Sequence, residues 1–186
     1  MSAAPVEPEP EPEPATARVP AGAGRGRVEP ATAEDALAIH RLRRSLEDWM
    51  VAHGVDQWRP GEMPLQRVVD EVADGQWHVV RDAEVGIAGA LRLLWEDEPF
   101  WGPDQPPAVY VHGLMVDRRR SGHGIGTVML DWAAAQGRAA GVGLFRLDCR
   151  TTNPVLRDYY EGYGFTVVGR KDFPTFSATL LELALP

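Results

Sequence analysis

Apolar residues in this chain recur at two spacings, and the alternation between them outlines the elements. Leu37, Leu42, Leu46 and Trp49 follow one another at helical intervals. Ahead of them Thr32 and Asp35 resemble a capping box in which Asp replaces the more usual Glu. The pattern predicts a helix that ends by Gly54, preceded by a short strand at Arg27, Val28 and Glu29. Residues 55–64 read as a loop and residues 65–73 as a second short helix. Strand patterns follow over 76–81 and 85–95, joined by a tight turn at Asp82 and Ala83. Residues 96–107 hold acidic clusters, four prolines and the aromatics Phe100 and Trp101, and read as a loop. Residues 108–116 form a strand. Residues 125–140 form a helix with Ile125, Met129, Trp132 and Ala133 on one face. A strand at 144–149 precedes a helix at 155–163, which Gly164 suits as a left-handed stop. Strands at 165–170 and 176–185 close the chain. The order β-α-α-β-β-β-α-β-α-β-β predicts an α/β sandwich, with helices covering a largely antiparallel sheet.

Composition changes this picture at the N-terminus. Glu-Pro repeats over residues 7–14, and Ala, Gly and Arg continue to about Gly26. Proline removes backbone donors and the regularly spaced like charges repel, so residues 1–26 are expected to form a disordered tail and 27–186 the folded domain. With no basic and apolar leader pattern and no apolar run of ~20 residues, neither a signal peptide nor a membrane span is expected. A single cysteine, Cys149, excludes an internal disulfide and suits a reducing cytoplasm. A formal charge of -8 argues against broad nucleic-acid binding.

Against that acidity, the segment between the 108–116 strand and the next helix is basic and glycine-rich. It reads Arg118, Arg119, Arg120, Ser121, Gly122, His123, Gly124, Ile125, Gly126, Thr127. Glycines at alternate positions let backbone N–H groups turn toward one point, and the helix adds its unpaired N–H groups and the positive end of its dipole. With the arginines and His123 as mobile positive charge, this is an anion site suited to a diphosphate. No Gly-Lys-Ser/Thr triplet supports a nucleotide P-loop, and the Gly-x-Gly-x-Gly spacing and late position depart from the dinucleotide fingerprint. Taken alone, the glycines also fit a plain tight turn.

This block, together with Asn153, Pro154, Val155, Leu156, Arg157, Asp158, Tyr159, Tyr160, Glu161, Gly162, Tyr163, Gly164 and Phe165, resembles the GNAT acetyltransferase family. The glycine-rich block is similar to the family's Gln/Arg-x-x-Gly-x-Gly/Ala motif, with Ser121 where Gln or Arg is frequent. The 153–165 block is similar to its Asn followed by Tyr-Glu-x-x-Gly-Phe. The resemblance runs from about Arg27 to Leu185. It implies a mixed, mostly antiparallel sheet whose central strands splay, with acetyl-CoA as co-substrate and no metal. Backbone groups of Leu114, Met115 and Val116 would pair with the pantetheine amides, and Arg119, Arg120, Ser121, Gly122, His123, Gly124, Ile125, Gly126 and Thr127 would hold the diphosphate. Asn153 would bind CoA through its side-chain amide, a role compatible with capping the helix after it.

By the same resemblance Tyr160 protonates the departing thiolate. The base that frees the amine is left open between His112 and Glu96 or Glu98, the latter two acting through water. Cys149 reads as core. Acidic and aromatic residues of the 54–64 and 96–107 loops would receive the acceptor. A small-molecule amine is the expected partner, with a protein lysine or N-terminal amine, or a silent acyl-CoA sensor, as alternatives. Nucleic-acid and membrane partners are not expected, and a homodimer is left open.

Overall fold

The computed structural model describes residues 26–186, so the tail expected over residues 1–26 lies, Gly26 apart, outside the described residues. In chain order the elements are β1 (Val28–Pro30), α1 (Ala36–Ala52), α2 (Leu65–Ala73), β2 (Trp77–Asp82), β3 (Gly86–Leu94), α3 (Glu98–Trp101), β4 (Ala108–Val116), α4 (Ile125–Ala139), β5 (Leu144–Arg150), α5 (Pro154–Tyr163), β6 (Thr166–Phe173) and β7 (Phe176–Ala184). Short 3-10 turns occupy Ala33–Asp35 and Arg118–Arg120. Among the described residues seven strands make one sheet in the order β1-β2-β3-β4-β5-β7-β6. Every neighbouring pair is antiparallel except β4 with β5.

Side-chain alternation along the strands divides the core in two. On one face Trp77, Val79, Ala90 and Met115 pack under Ile39, Leu42 and Leu46 of α1 and Val68 and Val72 of α2. On the other, Leu91, Val109, Phe145, Leu147 and Leu181 pack under Met129, Leu130 and Ala133 of α4 and Tyr160 of α5. Apolar stripes at helical spacing and apolar strand positions meet here, which is why the two periodicities could be read apart.

The expected cap is present. The Asp35 carboxylate accepts from Thr32 N at 2.8 Å and Thr32 Oγ1 at 3.0 Å. It also receives both terminal nitrogens of Arg81 at 2.8 Å, which ties the start of α1 to β2. Within the stretch expected to be all loop, residues 98–101 coil into α3 with Pro99 in the first turn. A single turn is too short to leave a helical period in the sequence.

Candidate acetyl-transfer site

β4 and β5 run side by side only from Ala108 opposite Leu144 to Val111 opposite Leu147. Beyond that rung they separate. Gly113 sits at φ 59°, and a Cβ on it would meet the Trp77 ring at 3.0 Å, so a side chain would be both strained and crowded there. The parting opens a cavity of about 960 Å³ lined by both strands, α1, α5 and the loop between α1 and α2. Leu114, Met115 and Val116 follow the kink and line it, with the Met115 side chain buried toward α1. Their edge toward β5 has no strand partner among the described residues, while the opposite edge pairs with β3 through Ala90–Met115 and Gly89–Val116.

At the end of β4 the chain enters the basic segment. Gly122 and Gly124 adopt φ 79° and 76°, a left-handed region that glycine enters without steric cost. Gly124 then caps α4, whose first N–H groups at Ile125, Gly126 and Thr127 have no intrahelical acceptor. A Cβ on Gly126 would lie 2.7 Å from the Tyr159 hydroxyl, so bare backbone is what lets α5 close over the start of α4. Ser121 lines the cavity, and His123 Nδ1 lies 3.1 Å from the Ser121 carbonyl oxygen.

The arginines here are not equally free. Arg119 forks onto Asp117, and Arg120 is held by Asp82 and Glu84 across the β2–β3 turn. The mobile charge expected of these two is therefore already paired, Arg119 with a neighbour two residues before it and Arg120 with partners that the fold brings near. Arg118 is the one lining the cavity, its guanidinium 4.0 Å above the Trp49 ring.

His112 stands at the parting on the face covered by α1 and α2. Its Nε2 lies 2.9 Å from Asp97 Oδ2, and its Nδ1 lies 3.3 Å from Asp148 Oδ1. Burial opposes a charge on the ring, but the Asp97 hydrogen bond and the charges of Asp148 and Asp97 outweigh it, so its pKa lies above the ordinary value. Burial, opposed by His112 and reinforced by Asp97, pushes the Asp148 carboxyl up to about 6. His112 and Asp148 face the cavity, whereas Asp97 backs the ring from behind. Glu96 and Glu98 are exposed and absent from the cavity wall. Asp97, between them, is the carboxylate that α3 turns inward.

The loop after α1 is fastened across the same face. Gln57 accepts from Arg150 Nε at its carbonyl oxygen, 2.8 Å, and from Arg150 N and Asn153 Nδ2 at its side-chain oxygen, 3.2 and 3.1 Å. Thr152 Oγ1 donates to Asp56 Oδ2 at 2.8 Å. Arg43 lies 3.8 Å beneath the Trp58 ring and pairs with Glu47 and Glu62. Trp58, Phe100 and Phe176 supply apolar wall, while Trp101 turns away to meet Tyr110 edge-on and lie under Arg146. Asn153 does cap α5, its Oδ1 accepting from Leu156 N at 3.1 Å. Its amide also ties down Gln57.

Tyr160 comes from the opposite face. It is 4% exposed, packed with Cys149 and Phe165, and lines the cavity. Burial, with smaller contributions from Cys149, Asp148 and Tyr159, pushes its pKa far above that of a free phenol. Tyr159 is 41% exposed. Cys149 is buried, and burial together with Asp148 pushes its thiol up to about 11.

Residues 39–165 match the family model described as "Acetyltransferase (GNAT) family". The chain belongs to the GNAT acetyltransferase family. This GNAT protein is 30% identical over 149 residues to the uncharacterized N-acetyltransferase YesJ of Bacillus subtilis (strain 168), covering 75% of this chain and 81% of that one. Its fold superposes on a GNAT-family acetyltransferase of Listeria monocytogenes 4b F2365 with a TM-score of 0.73 and 26% identity, covering 86% of this chain and 95% of the other. yncA, a putative acetyltransferase from Salmonella typhimurium solved with acetyl-CoA, shares the fold at a TM-score of 0.64 and 17% identity, over 88% and 95% of the two chains. As a GNAT enzyme the protein is an acetyl-CoA-dependent acyltransferase.

Several wall residues of this GNAT enzyme were not singled out from the sequence. Asp148 and Arg150 alternate with apolar residues in Leu-Phe-Arg-Leu-Asp-Cys-Arg, the pattern of a solvated strand face. Gln57 carried no signal at all. Arg118 could not be told from Arg119 and Arg120 without knowing where Asp82, Glu84 and Trp49 fold.

Proposed function

We propose that this enzyme transfers the acetyl group of acetyl-CoA directly to the primary amine of a small molecule. The observation that carries the reading is the parting of β4 and β5, with Tyr160 on one face and His112 and Asp148 on the other. A slender acyl thioester fits between the strands, its amides against the free edge at Leu114, Met115 and Val116 and its diphosphate against Ser121, Gly122, His123, Gly124, Ile125, Gly126 and Thr127. The loop fastened to β5 and the turn after it by Gln57 and Asp56 sets Trp58 into the cavity wall, and that aromatic wall favours a small acceptor.

An amine arrives as an ammonium and must lose a proton before it attacks. The two carboxylates beside His112 favour its protonated form, so we assign the ammonium proton to Asp148, whose carboxyl is pushed up to about 6. The free amine adds to the thioester carbonyl carbon. Backbone N–H donors on the β4 edge stabilise the oxyanion that forms, an effect worth ~2.7–4 kcal/mol per well-placed donor. The nitrogen releases a second proton, the C–S bond breaks, and the sulfur takes a proton from Tyr160, which water restores. One ammonium and one thioester thus give an amide, a thiol and one proton. Cys149 lies on the Tyr160 face with a raised pKa, which favours direct transfer over an acyl-cysteine.

Thiol release from acetyl-CoA, followed over a panel of amines and short peptides, tests the reading. Turnover is expected with amines, and Tyr160→Phe should lower kcat at least tenfold with acetyl-CoA affinity and Tm little changed, since general acid catalysis contributes ~10²–10⁴-fold. Full activity in Tyr160→Phe, with chemistry rate-limiting, would give the proton to water. Preference for peptides would give the pocket a protein acceptor.

A further inference from the structure

Arg150 lines the acceptor side of the cavity at the end of β5, with a side chain only 8% exposed. Its Nε is spent on the Gln57 carbonyl oxygen at 2.8 Å. Among the described residues its two terminal nitrogens have no hydrogen-bond acceptor. They lie 3.7 Å from Asp56 and 3.8 Å from Glu62, beyond hydrogen-bond reach, and both carboxylates already have nearer partners in Thr152 and Arg43. Two other wall guanidiniums, Arg43 and Arg92, differ. Arg43 gives Nε and a terminal nitrogen to Glu47 and Glu62 at 2.8 and 2.6 Å. Arg92 gives Nε and both terminal nitrogens to Gln76 and Glu71. The Arg150 fork borders the cavity with its terminal nitrogens open to it, and a guanidinium fork is shaped for a carboxylate. The Phe176 ring, 4.4 Å from the guanidinium carbon, holds the plane of that fork.

The position of the fork relative to the reacting amine sets the ligand class. Asp148 and Arg150 are two residues apart on one strand, so they share a face and their Cα atoms are roughly 6.6 Å apart. A molecule whose amine lies at Asp148 and His112 would therefore place a group one or a few bonds away against Arg150. We propose that the acceptor is an amino acid or a close amino-carboxylate, its carboxylate seated on the terminal nitrogens of Arg150 and its amine at Asp148. This rests on the acetyltransferase reading above and adds the second functional group of the substrate. Trp58, Phe100 and Phe176 around the same space suit an apolar side chain on it.

The test compares kcat/KM across matched triplets: free L-amino acids, their carboxamides, and the amines lacking the carboxyl group, such as phenylalanine, phenylalaninamide and phenethylamine. At least one amino acid should exceed its amide by tenfold or more, the difference residing mainly in KM. Arg150→Gln should bring that ratio toward one, and Arg150→Lys should restore part of it. Amine-free acids such as 3-phenylpropionate should inhibit competitively against the amine and not against acetyl-CoA. Should either variant fail to fold, the wild-type ratios and this inhibition pattern decide. Amides or simple amines acetylated as well as the amino acids would overturn the carboxylate seat and leave the acetyltransferase reading standing, as would an unchanged ratio in a folded Arg150→Gln. Acetylation of none of these amines, with peptides as the sole acceptors, would also remove it. No transfer to any amine by protein that binds acetyl-CoA would remove both.

Discussion

His112 illustrates what a single side chain can and cannot reveal before folding. It was legible as a candidate because it stands two residues before Leu114 on the strand that leads into the glycine loop. Its neighbours were not, since Asp97 and Asp148 come from segments 15 residues before it and 36 after it. Their meeting changes the chemistry expected of the ring, because the two carboxylates raise its pKa and, in the proposed mechanism, Asp148 takes the basic role. Asp148 is faced by His112 and, more distantly, Asp97, while Arg92 bears on His112. The sign of the resulting pH dependence follows directly. A base works only when deprotonated, and the Asp148 carboxyl is pushed up to about 6, so kcat/KM should fall as pH drops through that region. Asp148→Asn should lower kcat at least tenfold and abolish this acid limb, measured as kcat/KM from pH 5 to 8. An acid limb retained unchanged in Asp148→Asn would assign it to His112 instead.

Helices and strands long enough to show their period were read close to their true bounds, because burial on one face is written locally into the sequence. The glycine segment was legible for the same reason, since its conformational demand lies in adjacent residues. What escaped was pairing between elements: Arg120 had the character of available charge until Asp82 and Glu84 took it up, while Arg119 turns back onto Asp117 two residues before it. In the proposed pose the backbone of this segment, rather than those two side chains, then meets the donor diphosphate. Gly124→Glu tests that assignment. A side chain at φ 76° costs about 1–2 kcal/mol, and the carboxylate would oppose phosphate at the start of α4. Acetyl-CoA affinity by calorimetry should drop at least tenfold, while circular dichroism stays near that of the parent. Undiminished affinity would remove the segment from the donor site.

Across the whole molecule, the order of elements announced an α/β arrangement, but not where the sheet would come apart. That depends on Gly113 meeting Trp77 from β2 and on the 54–64 loop being pinned to β5 and α5, contacts that span 36 residues in one case and more than 90 in the other. One further consequence lies in the free edge of β4. From residue 113 onward this strand has a partner on one side only, so the sheet is short of a rung that a peptide-like molecule could supply. The pantetheine arm carries two amide groups in an extended chain, and in the proposed pose it would act as a transient extra strand. Such a borrowed strand leaves a trace in solvent exchange. Amide hydrogens of residues 113–116 on the edge facing β5 should exchange at least tenfold more slowly when acetyl-CoA is bound, as read by hydrogen–deuterium exchange, whereas those already paired with β3 should change little. Equal rates with and without the donor would mean that it does not thread the sheet.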